Sequence, residues 1–62
     1  MTPLNVASIH GHLEVCKLLI EHGADINHKN NNGWTSLNHA SLKGHLKVCE
    51  LLIEKGADID LK

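Results

Sequence analysis

The sequence predicts an all-α solenoid of two helix-turn-helix-loop units with a short β-hairpin-like turn between them. Three observations predict it. First, the chain repeats itself with a period of 33: residues 2–29 lie on residues 35–62 with 19 identities in 28 pairs. A fixed period of this size marks stacked supersecondary units, none of which can bury its apolar face alone. Second, the later helix of each unit is too apolar to stand by itself. Third, glycines recur at matched stops, Gly11 and Gly23 in the first copy and Gly44 and Gly56 in the second.

The first helix of copy one is expected over about Pro3 to His10. Thr2 is a good N-cap, and Pro3 suits the first helical position because its missing N–H would be unsatisfied there anyway. Two turns are too few to be stable in isolation. The second helix is expected over about Leu13 to His22. Glu14, Lys17 and Glu21 form one narrow polar stripe at i, i+3 and i+7, and Leu13, Val15, Cys16, Leu18, Leu19 and Ile20 occupy the rest. An ordinary surface helix carries an apolar stripe of about 100° or somewhat more. This one exceeds that, so it needs cover on both flanks and beneath. Glycine supplies the left-handed cap at each stop. Copy two repeats the pattern with Ser36 in place of the proline. Between the copies, Asn32-Gly33 is a short-range signal for a tight hairpin turn. The first unit is thus residues 1–29, lacking its leading turn. The second is residues 30–62, and together they make one solenoid segment.

Size and composition bound the function. With 62 residues, the chain buries only about 60% of the surface its unfolded form exposes. Its formal net charge is −1, which gives no electrostatic footprint for nucleic acid or an anionic membrane. The longest apolar runs, Leu18-Leu19-Ile20 and Leu51-Leu52-Ile53, fall far short of the roughly 20 residues a membrane span needs. No basic-then-apolar signal segment is seen, so the expected compartment is the cytoplasm or nucleus. One Trp and no Tyr or Phe mean an aliphatic core.

The motifs resemble the ankyrin repeat family. Its T-P-L-H-x-A-A, G-H-L-E-V and L-L-x-x-G-A-D signatures appear as Thr2-Pro3-Leu4-Asn5-Val6-Ala7-Ser8, Gly11-His12-Leu13-Glu14-Val15 and Leu18-Leu19-Ile20-Glu21-His22-Gly23-Ala24-Asp25. The resemblance covers nearly the whole chain and implies an ankyrin-like solenoid. Asn5 and Asn38 replace the family's His, which ties neighbouring turns together, and Ser8 and Ser41 replace its second Ala. Neither end carries a dedicated polar cap, and at least three repeats are normally needed for stability. The chain is therefore expected to be part of a longer array or a unit that stacks on itself.

Several residue sets invite chemistry. Cys16 and Cys49 occupy one position in the two copies. Packed helices lie about 8–10 Å apart, whereas a disulfide needs Cα atoms within about 7 Å. The expected reading is a pair of buried free thiols. His12 with Cys16 and His45 with Cys49 are i, i+4 pairs, a metal-ligand spacing. One zinc ion cannot reach both pairs a full repeat apart, and the resemblance makes this His a structural residue at the inter-helix turn. His10, His22, His28 and His39 show no companion spacing for a triad. No cofactor and no catalysis are expected.

The leading expectation is a non-catalytic protein-protein interaction module whose partner is another protein. A structural spacer repeat and a His/Cys metal-binding protein are the alternatives. The resemblance places recognition at the turn tips and the outward face of the first helix. That selects Asn31, Asn32 and Trp34 at the turn, Ile9, His10, Leu42 and Lys43 at the first-helix ends, and His22 and Lys55 near the second-helix ends. End-to-end self-association is a further expectation, because both copies carry interior-type helices. Finally, Glu14 corresponds to Lys47 and Lys17 to Glu50, a charge swap that favours register between neighbours.

Overall fold

The computed structural model describes residues 2–59. It holds four helices: α1 (Pro3–Ile9), α2 (Leu13–Glu21), α3 (Ser36–Lys43) and α4 (Leu46–Glu54). α1 packs on α2 and α3 on α4, and the two pairs meet through α1 with α3 and α2 with α4. The result is two layers, each contributed by the same helix of both copies.

The local reasons follow the sequence. Thr2 caps α1 by accepting the Asn5 amide at 3.2 Å, and Thr35 caps α3 by accepting the Asn38 amide at 3.2 Å. Asn38 also returns its Oδ1 to the Thr35 amide at 3.0 Å, closing a capping box. All four helices end in the same way. The α1 stop is typical: His12 N–H donates to Ala7 O and Gly11 N–H to Ser8 O, a pairing that satisfies the last carbonyls around a left-handed glycine.

The core is aliphatic and small: Leu4, Ala7, Cys16, Leu37, Ala40, Val48, Leu51 and Leu52. Full burial of each leucine contributes roughly 1.5–3 kcal/mol. Polar ties span the junction between copies. Ser36 Oγ donates to Asn5 Oδ1 at 3.0 Å, and Asn5 itself is fully buried. His45 Nε2 donates to the Ile9 carbonyl at 2.9 Å. The Asp58 amide donates to Asn27 Oδ1 at 2.7 Å. The Asn that replaces the family's His thus still links the units. Its Nδ2 is buried without a hydrogen-bond partner among the described residues.

One expectation fails. Among the described residues there is no β-strand and no hairpin between the copies. A two-residue Asn-Gly hairpin turn needs positive φ at both positions. Here only glycines have positive φ, so Gly33 adopts it and Asn32 does not. The side chain of Asn30 takes over the turn. Its Oδ1 accepts the Asn32 amide at 2.9 Å and the Trp34 amide at 3.0 Å. The Asn30 carbonyl accepts Gly33 N–H at 2.9 Å. A hydrogen-bonded strand pair exchanges both amides with both carbonyls. Here only Asn30 N–H to Trp34 O, at 2.9 Å, survives of that exchange. An Asn side chain bonding the backbone two residues on is a local alternative to sheet pairing.

Candidate partner-binding surface

The turn delivers side chains to one concave surface. Asn32, Gly33 and Trp34 from the turn and Asn38, Ser41 and Leu42 from α3 line a groove. The Asn30 bonds fix the course of the turn. Trp34 is then held by its ring, which stacks on His39 with centroids 5.2 Å apart. Leu42 is 66% exposed, at the α3 end of the groove.

The sequence-selected residues do not share one surface. Asn32, Trp34 and Leu42 share the groove; Asn31 and Lys43 are exposed next to it in sequence. Ile9 is partly buried, and its carbonyl receives His45. His10 is exposed, donates Nδ1–H to the Val6 carbonyl at 3.0 Å and stacks on His12. His22 lines a separate recess with Pro3, Leu19 and Ala24. Lys55 lies on another surface, between α2 and α4, with Lys17, Lys47, Glu50 and Glu54. Asn38 and Ser41 join the groove although the sequence assigned them only structural parts. Their signal was available, since a helix presents residues three and four apart on one face, and Leu42 lies four after Asn38. Asn30 was not singled out at all.

Cys16 is fully buried, and burial pushes its thiol up while contact with Ser8 Oγ, at 3.7 Å, works the other way. Cys49 makes the equivalent contact to Ser41 Oγ at 3.6 Å. Both cysteines are free. Among the described residues no three His, Cys, Asp or Glu side chains converge as a metal site, and no helix is long and apolar enough to cross a membrane.

Stacked helix pairs bearing an exposed turn and groove define a helical-repeat scaffold. The chain belongs to the ankyrin repeat family: the family model described as ankyrin repeats (3 copies) matches residues 1–62. It is similar to ankyrin repeat domain-containing protein 13B of Mus musculus and Homo sapiens, 50% identical over 34 residues, which is 55% of this chain and 5% of those proteins. Protein phosphatase 1 regulatory subunit 12A of Homo sapiens is 53% identical over 34 residues, again 55% of this chain and 3% of that protein. Among solved structures, the human ASB11 ankyrin repeat domain superposes with a TM-score of 0.93 at 35% identity, covering 97% of this chain and 27% of that one. The chain therefore spans a small part of the proteins it matches. As an ankyrin-repeat segment it is a non-catalytic, protein-binding module.

Proposed function

We propose that the groove between the turn and α3 is where this module holds a segment of another protein. The observation that carries the reading is the convergence of Asn32, Trp34 and Leu42 on one concave surface. Trp is enriched among residues that dominate binding energy, and Leu42 adds aliphatic surface with no structural need to be exposed. Lys43, next to Leu42, supplies a positive rim, which favours a partner segment with an apolar anchor flanked by acidic residues. Ile9 and His10 are the copy-one counterparts of Leu42 and Lys43; His22 and Lys55 lie outside the groove. The unpaired thiols suit a reducing compartment, the cytoplasm or nucleus.

The test begins with peptides selected on the whole chain from a display library, followed by amide shift mapping. Selected peptides should shift amides of residues 31–43, and Trp34→Ala or Leu42→Ala should weaken them at least tenfold. Shifts confined to α2 and α4, with no loss in those variants, would overturn the reading.

A second mode is favoured by the stack ends. Val15 and Leu18, 46% and 54% exposed, occupy in copy one the positions by which Val48 and Leu51 dock on the first unit. Leu46 and Ile53, 67% and 49% exposed, are the counterparts of Leu13 and Ile20, which pack against the shared core. The two ends are thus complementary, so another repeat or a second copy fits head to tail, a contact that propagates. Sedimentation over a wide concentration range should give rising mass, reduced by Leu18→Lys. A constant monomer mass at every concentration would exclude self-association.

A further inference from the structure

The turn that presents Trp34 is tied to a titratable ring. Asn30 Nδ2 lies 3.0 Å from His39 Nε2. The orientation of the Asn30 amide is not free, because its Oδ1 already accepts the Asn32 and Trp34 amides. Turning the amide over would set its NH2 group against two N–H donors. Nδ2 therefore points at His39 and can only donate. His39 Nε2 must then accept, which requires a neutral ring with its proton on Nδ1. Trp34 stacks on the same ring, so one imidazole supports both the hinge of the turn and its principal side chain.

Protonation reverses this arrangement. An imidazolium donates from both nitrogens, so Nε2–H would confront the Asn30 NH2, and the acceptor that anchors the turn would be lost. We propose that His39 is a proton-operated latch: neutral, it holds the turn from Asn30 to Trp34 closed; protonated, it releases the turn and remodels the groove. Its effect on partner binding rests on the groove being the recognition surface, but the latch itself does not.

The charged surroundings agree with a ring kept neutral. Burial is the first cause that lowers the His39 value, and the charge of Lys43, one turn along α3, is the second. α1, packed against α3, carries no titratable residue between Pro3 and Ile9. On α4, Lys47, Glu50 and Glu54 lie along the groove it shares with α2. On the loop, His28 and Lys29 precede Asn30 and are exposed. The latch is absent from the first copy, which has Val6 at the position of His39.

The test uses the whole chain without a partner. Long-range ¹H–¹⁵N spectra at pH 7.5 should show His39 protonated on Nδ1 and bare at Nε2. Trp34 is the sole aromatic apart from the histidines, so its fluorescence reports the turn together with the His39 ring it stacks on, and the amide shifts of residues 30–34 report opening of the turn. The fluorescence should step as pH falls, with a midpoint below about 6.5. His39→Phe keeps a ring beneath Trp34 and should abolish the step. Asn30→Asp supplies a carboxylate that accepts from Nε2–H while still capping the turn amides, so the His39 ring should titrate above the parent while the turn stays closed through that titration. A proton on Nε2 in the parent at pH 7.5, or a step unchanged in His39→Phe, would overturn the latch. Peptide binding at the groove is a separate readout: a latch without binding removes the proposed function, and binding without a latch removes only this inference.

Discussion

The two copies are close to the same sequence and occupy different environments. Val15 is 46% exposed and its counterpart Val48 is 1%; Leu18 is 54% exposed and Leu51 is 7%. The contrast reverses on the other flank, where Cys16 is fully buried and Cys49 only partly so. Identical residues are thus core or surface according to which neighbour they have. Burial in a solenoid belongs to the junction between units rather than to the unit. The single junction here uses one flank of each copy and leaves the other flank of each open.

The strongest test of that comparison is the same truncation at both positions. Leu51→Ala should cost about 2–5 kcal/mol, as buried leucine truncations do. That is a large part of the stability of any small domain. Leu18→Ala, on an open flank, should cost below about 1 kcal/mol. Chemical denaturation at low protein concentration reads both. Equal costs would mean that the copies are not inequivalent in solution. A gap that narrows as concentration rises would show Leu18 becoming covered by another molecule.

The paired glycines sharpen the comparison at backbone level. Gly11 and Gly44 are counterparts with φ of +72° and +76°. A Cβ on Gly11 would lie 2.7 Å from His45 Nδ1, whereas one on Gly44 would meet nothing within 4 Å. Gly44→Ala should cost only the left-handed strain, about 1–2 kcal/mol. Gly11→Ala should add an overpacking cost of about 1–3 kcal/mol and disturb the His45 bond to the Ile9 carbonyl. Thermal unfolding of the two variants side by side checks the order, and the reverse order would contradict the His45 packing.

The open flanks and the tight glycine also mark what the sequence could express. The period, the helices and the matched stops were legible because each depends on spacing along one chain. The inequivalence of the copies was only partly legible: interior-type helices at both ends were visible, but which flank each junction covers is a three-dimensional fact. The failed hairpin has a more local cause. Asn32-Gly33 carries a real turn signal, yet Asn30, two residues earlier, competes for the same amides and wins. Part of the groove was legible through Trp34 and Leu42, which stand out as large apolar residues at outward positions. Asn38 and Ser41 escaped because their family positions suggested structure alone. The bond from Asn30 to His39 spans nine residues and follows no periodic rule.

The copies also differ in a titratable position, with Val6 where copy two has His39. The folded value of His39 is lowered from the ordinary 6.5 by burial first and by Lys43 second. The unfolded chain therefore takes up the proton before the folded one does. Stability from this group is fully present above pH 6.5 and is lost as pH falls through the folded value. Denaturation at pH 7.5, 6.5 and 5.5 should show falling stability in the parent chain. His39→Val, which gives copy two the residue of copy one, should flatten part of that slope. An unchanged slope would assign the whole dependence to other groups.

The smallest expected effect concerns one of the two positions where the copies invert sign. Lys17 and Glu50 are counterparts of opposite charge, and both line the shallow groove between α2 and α4, with Lys47 and Glu54. If the junction uses this inversion, Lys17→Glu should place a third carboxylate beside Glu50 and Glu54 and destabilise the chain. Glu50→Lys alone should crowd Lys17, Lys47 and Lys55 in the same way. The double exchange restores one charge of each sign and should recover most of the loss. Both side chains are exposed, so the coupling energy should be about 0.2–1 kcal/mol, and it should shrink as salt shortens the screening length. A double-mutant cycle at low and high ionic strength measures it. Coupling indistinguishable from zero at low salt would mean that the inversion sets no register, leaving the alignment of the copies to the buried leucines and the His45 bond.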